Sequence, residues 1–134
     1  MNEQNKKYKL LFVDDEVDIL ELCVMYLQRK GFEVVGAKKS APAFEQLENF
    51  KPEILITDLD LKEKHNGFDV IKKGFALNPK LRVAVLTGRT DNQLEPECNN
   101  AGAHLILLKP LTLEALLEGA NKLASEVAGT QACP

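Results

Sequence analysis

Five short apolar runs, each followed by a stretch with helical hydrophobic spacing, constrain this chain more than any other feature. The runs are YKLLFV (8–13), FEVVG (32–36), EILIT (53–57), LRVAVLT (81–87) and HLILLK (104–109). Four of them are nearly continuous in Val, Ile and Leu, as befits strands covered on both faces. FEVV alternates instead, which suits an edge strand. Between the runs, Val17, Leu20, Val24 and Leu27 recur at helical spacing, and Gly31 supplies a stop signal. Ser40 can cap a short helix carrying Phe44, Leu47 and Phe50, and Phe68, Ile71 and Phe75 make a third stripe. Leu94, Cys98 and Ala101 are also helically spaced, but Pro96 must sit in the first turn or break that helix. Thr112 can cap the last helix, whose Leu113, Leu116, Leu117, Ala120, Leu123 and Val127 form a broad apolar face.

Strands alternating with helices five times predict an α/β fold, a (βα)5 three-layer sandwich on a five-stranded parallel sheet. Right-handed crossovers restrict the topology, and the flavodoxin-like strand order 2-1-3-4-5 is the expected outcome. With 134 residues the chain has a one-domain length. The pattern places one domain over residues 8–128, an N-terminal extension at 1–7 and a C-terminal tail at 129–134.

Composition excludes several roles. A net charge of −3 argues against nucleic-acid or anionic-membrane surfaces, which want basic patches. Cys23, Cys98 and Cys133 are odd in number and far apart, with no C-x-x-C, so neither a disulfide framework nor a zinc site is indicated. The apolar run near the start is broken by Asp14 and is too short for a signal peptide or membrane span. A cytoplasmic location is therefore expected. G-x-G-x-x-G and G-x-x-x-x-G-K-[ST] are both absent, His65 and His104 stand alone, and Cys23 reads as core.

The chemistry lies at the strand ends, because ligands of open α/β sheets bind beyond the carboxyl ends of the strands. Asp14-Asp15-Glu16 follow the first run, Asp58 the third, Thr87-Gly88 the fourth and Lys109-Pro110 the fifth. Taken singly, acidic residues there can serve merely as caps for the next helix. Taken together, three converging carboxylates call for a hard cation such as Mg²⁺, which accepts carboxylates and keeps water positions open to a phosphate. Lys109 and the Thr87 hydroxyl can add to a cage for a phosphoryl group in transfer, with a carboxylate as nucleophile and Asp58 the most central.

D-D-E, D, T-G and K-P, in this order over roughly residues 8 to 128, resemble the receiver domain of two-component response regulators (the CheY-like superfamily). The resemblance implies Asp58 as phospho-acceptor, Asp15 as a direct Mg²⁺ ligand and Asp14 as a water-mediated one. The backbone carbonyl of Asp60 would be a further ligand. Lys109 would contact the phosphoryl group and Thr87 would swing towards it. The implied donor is a sensor histidine kinase or a histidine phosphotransfer protein. Output is expected through a partner protein, with no output domain in the chain and no turnover enzyme beyond slow self-dephosphorylation.

The chain departs from the family pattern at several points. The loop DLDLKEKHNG lacks the usual proline, and Gly67 falls one residue late. Ile106 stands three residues before Lys109, where many members carry a switching aromatic, and Leu111 replaces another aromatic after Lys109-Pro110. This places the altered switch region around Ile106 and Pro110, with the helix containing Pro96 as the moving element. Asp60 and Arg89 occupy positions that, by the resemblance, tune loss of the phosphoryl group in the family, and an ion pair between them across the pocket mouth is expected to shield it. The alternative is a haloacid-dehalogenase-like phosphatase, since ILITDLDL also resembles that family's D-x-D motif.

Overall fold

The computed structural model describes residues 7–132. In chain order its elements are β1 (Lys9–Val13), α1 (Val17–Arg29), β2 (Glu33–Ala37), α2 (Ser40–Asn49), β3 (Ile54–Asp58), α3 (Gly67–Leu77), β4 (Arg82–Thr87), α4 (Leu94–Ala101), β5 (Leu105–Leu108) and α5 (Leu113–Ala132). The strands pair in parallel in the order β2-β1-β3-β4-β5, as the alternation of elements predicts.

Successive strand side chains point to opposite faces, so the apolar runs feed two core layers. Leu10, Phe12, Ile54, Ile56, Ala84 and Leu86 pack with Leu20, Cys23 and Leu27 of α1 and with Leu116, Ala120 and Leu123 of α5. Leu11, Val13, Leu55, Val83 and Val85 pack with Ala43 and Leu47 of α2, Val70 and Ile71 of α3, and Leu94 and Cys98 of α4. Burying one such large side chain contributes roughly 1.5–3 kcal/mol, whereas an exposed ion pair contributes about 0–1. The two layers therefore hold the sandwich, and surface pairs such as Lys73–Glu48 at 3.0 Å add little.

Three local expectations need correction. HLILLK reads as a strand covered on both faces, yet β5 is the second edge of the sheet and Leu108 is 52% exposed. Continuous hydrophobicity does not encode which strand lies outermost. Ser40 is not the cap of α2 but its first residue, after Lys39. Its N–H donates to Glu63 Oε2 (2.8 Å) and its hydroxyl to Glu63 Oε1 (3.0 Å), so a carboxylate from the loop after β3 terminates this helix. Finally, α5 runs through Ala132, beyond the expected boundary at 128. Residues 1–6 and 133–134 of the extension and tail lie outside the described residues.

The remaining helix ends follow the sequence. Thr112 caps α5, its hydroxyl accepting the Ala115 N–H at 3.0 Å. Pro96 falls in the first turn of the eight-residue α4, where its missing N–H has no helical partner to lose. Gly102 closes that helix in the left-handed region at φ 91°. Among the described residues no helix is long and apolar enough to cross a membrane.

Candidate functional site

Register decides which side chains meet. Val13 pairs with Thr57, Asp58 with Leu86, and Thr87 with Leu108. Asp14, Asp58, Thr87 and Lys109 thus arrive at one edge of the sheet, at the carboxyl ends of four neighbouring strands. Asp58, Thr87 and Lys109, with Asp15, Glu16, Asp60, Lys62, Gly88 and Arg89, line an open depression of about 340 Å³.

Asp58 lies buried on its floor. Lys109 Nζ donates to Asp58 Oδ2 at 2.8 Å, and the Asp60 N–H donates to Oδ1 at 3.0 Å. Both carboxylate oxygens are therefore oriented before any ligand arrives. Lys109 Nζ also lies 3.6 Å from Asp14 Oδ2 and 3.6 Å from Glu16 Oε1. Burial would lower the pKa of this ammonium, but the Asp58 hydrogen bond and the charges of Asp58, Asp14 and Glu16 outweigh it and raise the value.

Asp14 is completely buried. Its Oδ1 accepts the Glu16 N–H at 2.9 Å, while Oδ2 has no hydrogen-bond partner. Burial raises the Asp14 pKa; the Glu16 N–H and Lys109 oppose that rise, and the Asp58 and Glu16 charges add to it. Carboxylate oxygens of Asp14, Asp15 and Asp58 all lie within 4.8 Å of one another. One lysine does not balance this group together with Glu16. An all-oxygen donor set with an orphaned buried oxygen fits a hard divalent cation such as Mg²⁺.

The sign of the Asp14 shift gives a prediction. A carboxyl whose folded-state pKa is raised lowers stability as pH climbs from its unfolded towards its folded value, and the deficit persists above both. Asp14→Asn, which retains an oxygen to accept the Glu16 N–H, should raise the metal-free melting temperature at pH 7 by a few degrees. It should also weaken Mg²⁺ binding. Thermal melts with and without Mg²⁺ check both effects, and a lower metal-free melting temperature would contradict the first.

Thr87 is buried at the end of β4. Its hydroxyl accepts the Arg89 N–H at 3.1 Å, leaving its own proton to donate, and its carbonyl accepts the Lys109 N–H at 2.8 Å. Ile106, beside Val85 in register, is half-buried against the α2–α3–α4 layer. Pro110 follows a cis peptide bond.

Arg89 lines the depression but does not take the expected partner. Its Nε and Nη2 donate to the two carboxylate oxygens of Asp91 at 2.8 and 2.9 Å, and Nη1 donates to Glu97 of α4 at 3.0 Å. The forked guanidinium matches a carboxylate two residues away at little loop-closure cost. Hydrogen bonding from Arg89 holds the Asp91 carboxyl down at about 2. The Asp60 side chain instead accepts the Lys62 N–H at 3.3 Å.

Spacing alone assigns no role in the pocket to Glu16, Lys62 or Gly67. The D-D-E run names Glu16, but only the fold shows it against Lys109. Nothing in the spacing marks Lys62 as pocket-lining. At Gly67 an added Cβ would collide with the Asp58 carbonyl oxygen and stand 2.8 Å from Leu59 Cα, so α3 starts directly against the end of β3.

The haloacid-dehalogenase-like alternative finds no support: Asp58 ends the central third strand, and the paired acids follow the first. Residues 10–121 match the family model described as the response regulator receiver domain. The chain is 27% identical over 117 residues to the chemotaxis protein CheY of Thermotoga maritima, covering 87% of this chain and 97% of that protein. It is 33% identical over 107 residues to a cyclic di-GMP phosphodiesterase of the same organism, covering 80% of this chain but only 28% of the enzyme. The solved chemotaxis protein CheY4 of Vibrio cholerae superposes with a TM-score of 0.82 at 25% identity, covering 88% of this chain and 99% of that one. Sheet order, strand-end residues and the span of the family match agree: the chain belongs to the receiver domain family of two-component response regulators.

Proposed function

We propose that Asp58 is the phospho-acceptor of this receiver domain, taking its phosphoryl group from a phosphohistidine on a sensor kinase or phosphotransfer protein. The observation that carries this reading is Lys109 Nζ, fixed 2.8 Å from the Asp58 carboxylate with Thr87 on the adjoining strand. An Asp58 oxygen forms the new bond to phosphorus, and the phosphorus–nitrogen bond breaks as the donor imidazole leaves. Lys109 then follows the charge from the carboxylate to the phosphoryl oxygens, and the Thr87 hydroxyl donates to one of them. Asp15, Asp58, Asp14 through water and the Asp60 carbonyl would hold Mg²⁺, which when bound supplies positive charge against the incoming phosphate.

Receiver domains act as phospho-acceptors in signalling, and this one holds its group rather than turning over a substrate. Without an aromatic at Ile106, Thr87 and Pro110 work beside a short α4 tied to the pocket rim through Arg89 and Glu97. Moving Arg89 would release that tie and reshape the surface offered to an output protein. Acetyl phosphate with Mg²⁺ should add one phosphoryl group by intact-protein mass spectrometry, and EDTA should prevent it. Continuous phosphate release without an adduct would overturn this reading.

A further inference from the structure

We propose that Lys62 is a second phosphoryl-contacting cation, placed at the mouth of the site to capture small anionic phosphodonors; this rests on Asp58 being the acceptor. The depression is lined by Asp15, Glu16, Asp58 and Asp60, and among the described residues only Lys62, Arg89 and Lys109 bring positive charge to it. Lys109 is engaged by three carboxylates at 2.8, 3.6 and 3.6 Å. Arg89 is engaged by Asp91 and Glu97, through three of its five N–H donors. Among the described residues, no hydrogen bond or ion pair engages the Lys62 ammonium, so it is the cation free to meet an incoming anion.

Its backbone is held for that position. Lys62 sits at φ 53°, in the left-handed region that few residues other than glycine adopt. Such conformations persist only where the surroundings enforce them. Here the Lys62 N–H is fixed by Asp60 Oδ1, and the next residue, Glu63, is clasped to Ser40 at the start of α2. A proline at 62 is excluded, because its ring fixes φ near −65° and removes that N–H. The loop that lacks the family's proline thereby presents a lysine to the pocket. Lys109 from the floor and Lys62 from the mouth approach a donor from two sides, and an exposed cation at a mouth acts chiefly on capture.

Lys62→Asn tests this, because asparagine tolerates the left-handed backbone while removing the charge; Lys62→Arg restores the charge. With acetyl phosphate as probe, Lys62→Asn should lower the second-order rate of phosphorylation roughly 3- to 10-fold, mainly through a higher half-saturating concentration. Lys62→Arg should recover most of it, and the wild-type rate should fall more steeply with added salt than the Lys62→Asn rate. Mg²⁺ affinity, followed by chemical-shift titration, should be unchanged or tighter in Lys62→Asn, because a repelling cation has gone. Weakening of both Mg²⁺ binding and phosphorylation would mean a collapsed loop and overturn the proposal, as would a Lys62→Asn rate equal to wild type. No adduct on wild-type protein would instead remove the acceptor reading itself.

Discussion

Asp58→Asn should abolish phosphorylation by acetyl phosphate while leaving the fold intact. Asparagine keeps a carbonyl oxygen able to accept either the Asp60 N–H or the Lys109 ammonium, so the two contacts that orient residue 58 are only partly lost. The substitution removes one of the clustered negative charges, which offsets the weakened Lys109 contact. The expected shift in melting temperature is therefore only a few degrees. The amide cannot supply the anionic oxygen that forms an acyl phosphate, so the chemical loss is complete at any donor concentration. A phosphorylated Asp58→Asn protein would show that another group accepts.

Gly67→Ala should be the most damaging single methyl group in the site. The added carbon meets main chain on both sides, at the Asp58 carbonyl and at Leu59 Cα, and no side-chain rotation can relieve it. Either the end of β3 or the start of α3 must move, and the Gly67 N–H to Leu59 O bond at 3.0 Å ties the two together. Overpacking of this kind destabilises by roughly 3 kcal/mol, which for a domain of this size lowers the melting temperature by on the order of 10 °C. Displacing the Asp58 carbonyl should also slow phosphorylation beyond what stability alone explains. Gly129→Ala is the matched control: a methyl group added there in α5 meets nothing within 4 Å, and it should be neutral or stabilising by roughly 0.5–1 kcal/mol. Equal melting temperatures for Gly67→Ala and wild type would contradict the close approach.

The five parallel strands and the convergence of Asp14, Asp58, Thr87 and Lys109 were legible in sequence from strong periodic signals, and the sheet order from the right-handed crossovers that join such strands. Near-continuous apolar runs mark parallel strands, and the residue that ends each run falls at the ligand-binding edge. What escaped depends on partners that spacing does not encode. Glu63 reaches Ser40 across 23 positions, and no pattern distinguishes that carboxylate from the other acids of its loop. Arg89 and Asp60 both line the depression, yet the guanidinium is held by Asp91 and Glu97, which lie nearer to it in sequence. The exposure of Leu108 follows from strand order and not from its neighbours in sequence.

Lys62 belongs to the same class. Its residue type is ordinary for a charged loop, and only the backbone angle and the pocket wall single it out. The chain departs from its family in the loop that contains it. If regulation here differs from that of relatives with a proline in this loop, the difference should be seen first in donor capture.

Reductive trapping of the phosphorylated protein with borohydride, followed by peptide sequencing in a mass spectrometer, identifies the residue that carries the phosphoryl group. Borohydride converts an aspartyl phosphate to homoserine and leaves free carboxylates untouched, so it reports the acceptor by position. Homoserine is expected at Asp58 alone, dependent on Mg²⁺ and on the phosphodonor. Homoserine at Asp14, Asp15 or Asp60, or phosphate that resists reduction because it sits on another residue type, would contradict Asp58 as the acceptor.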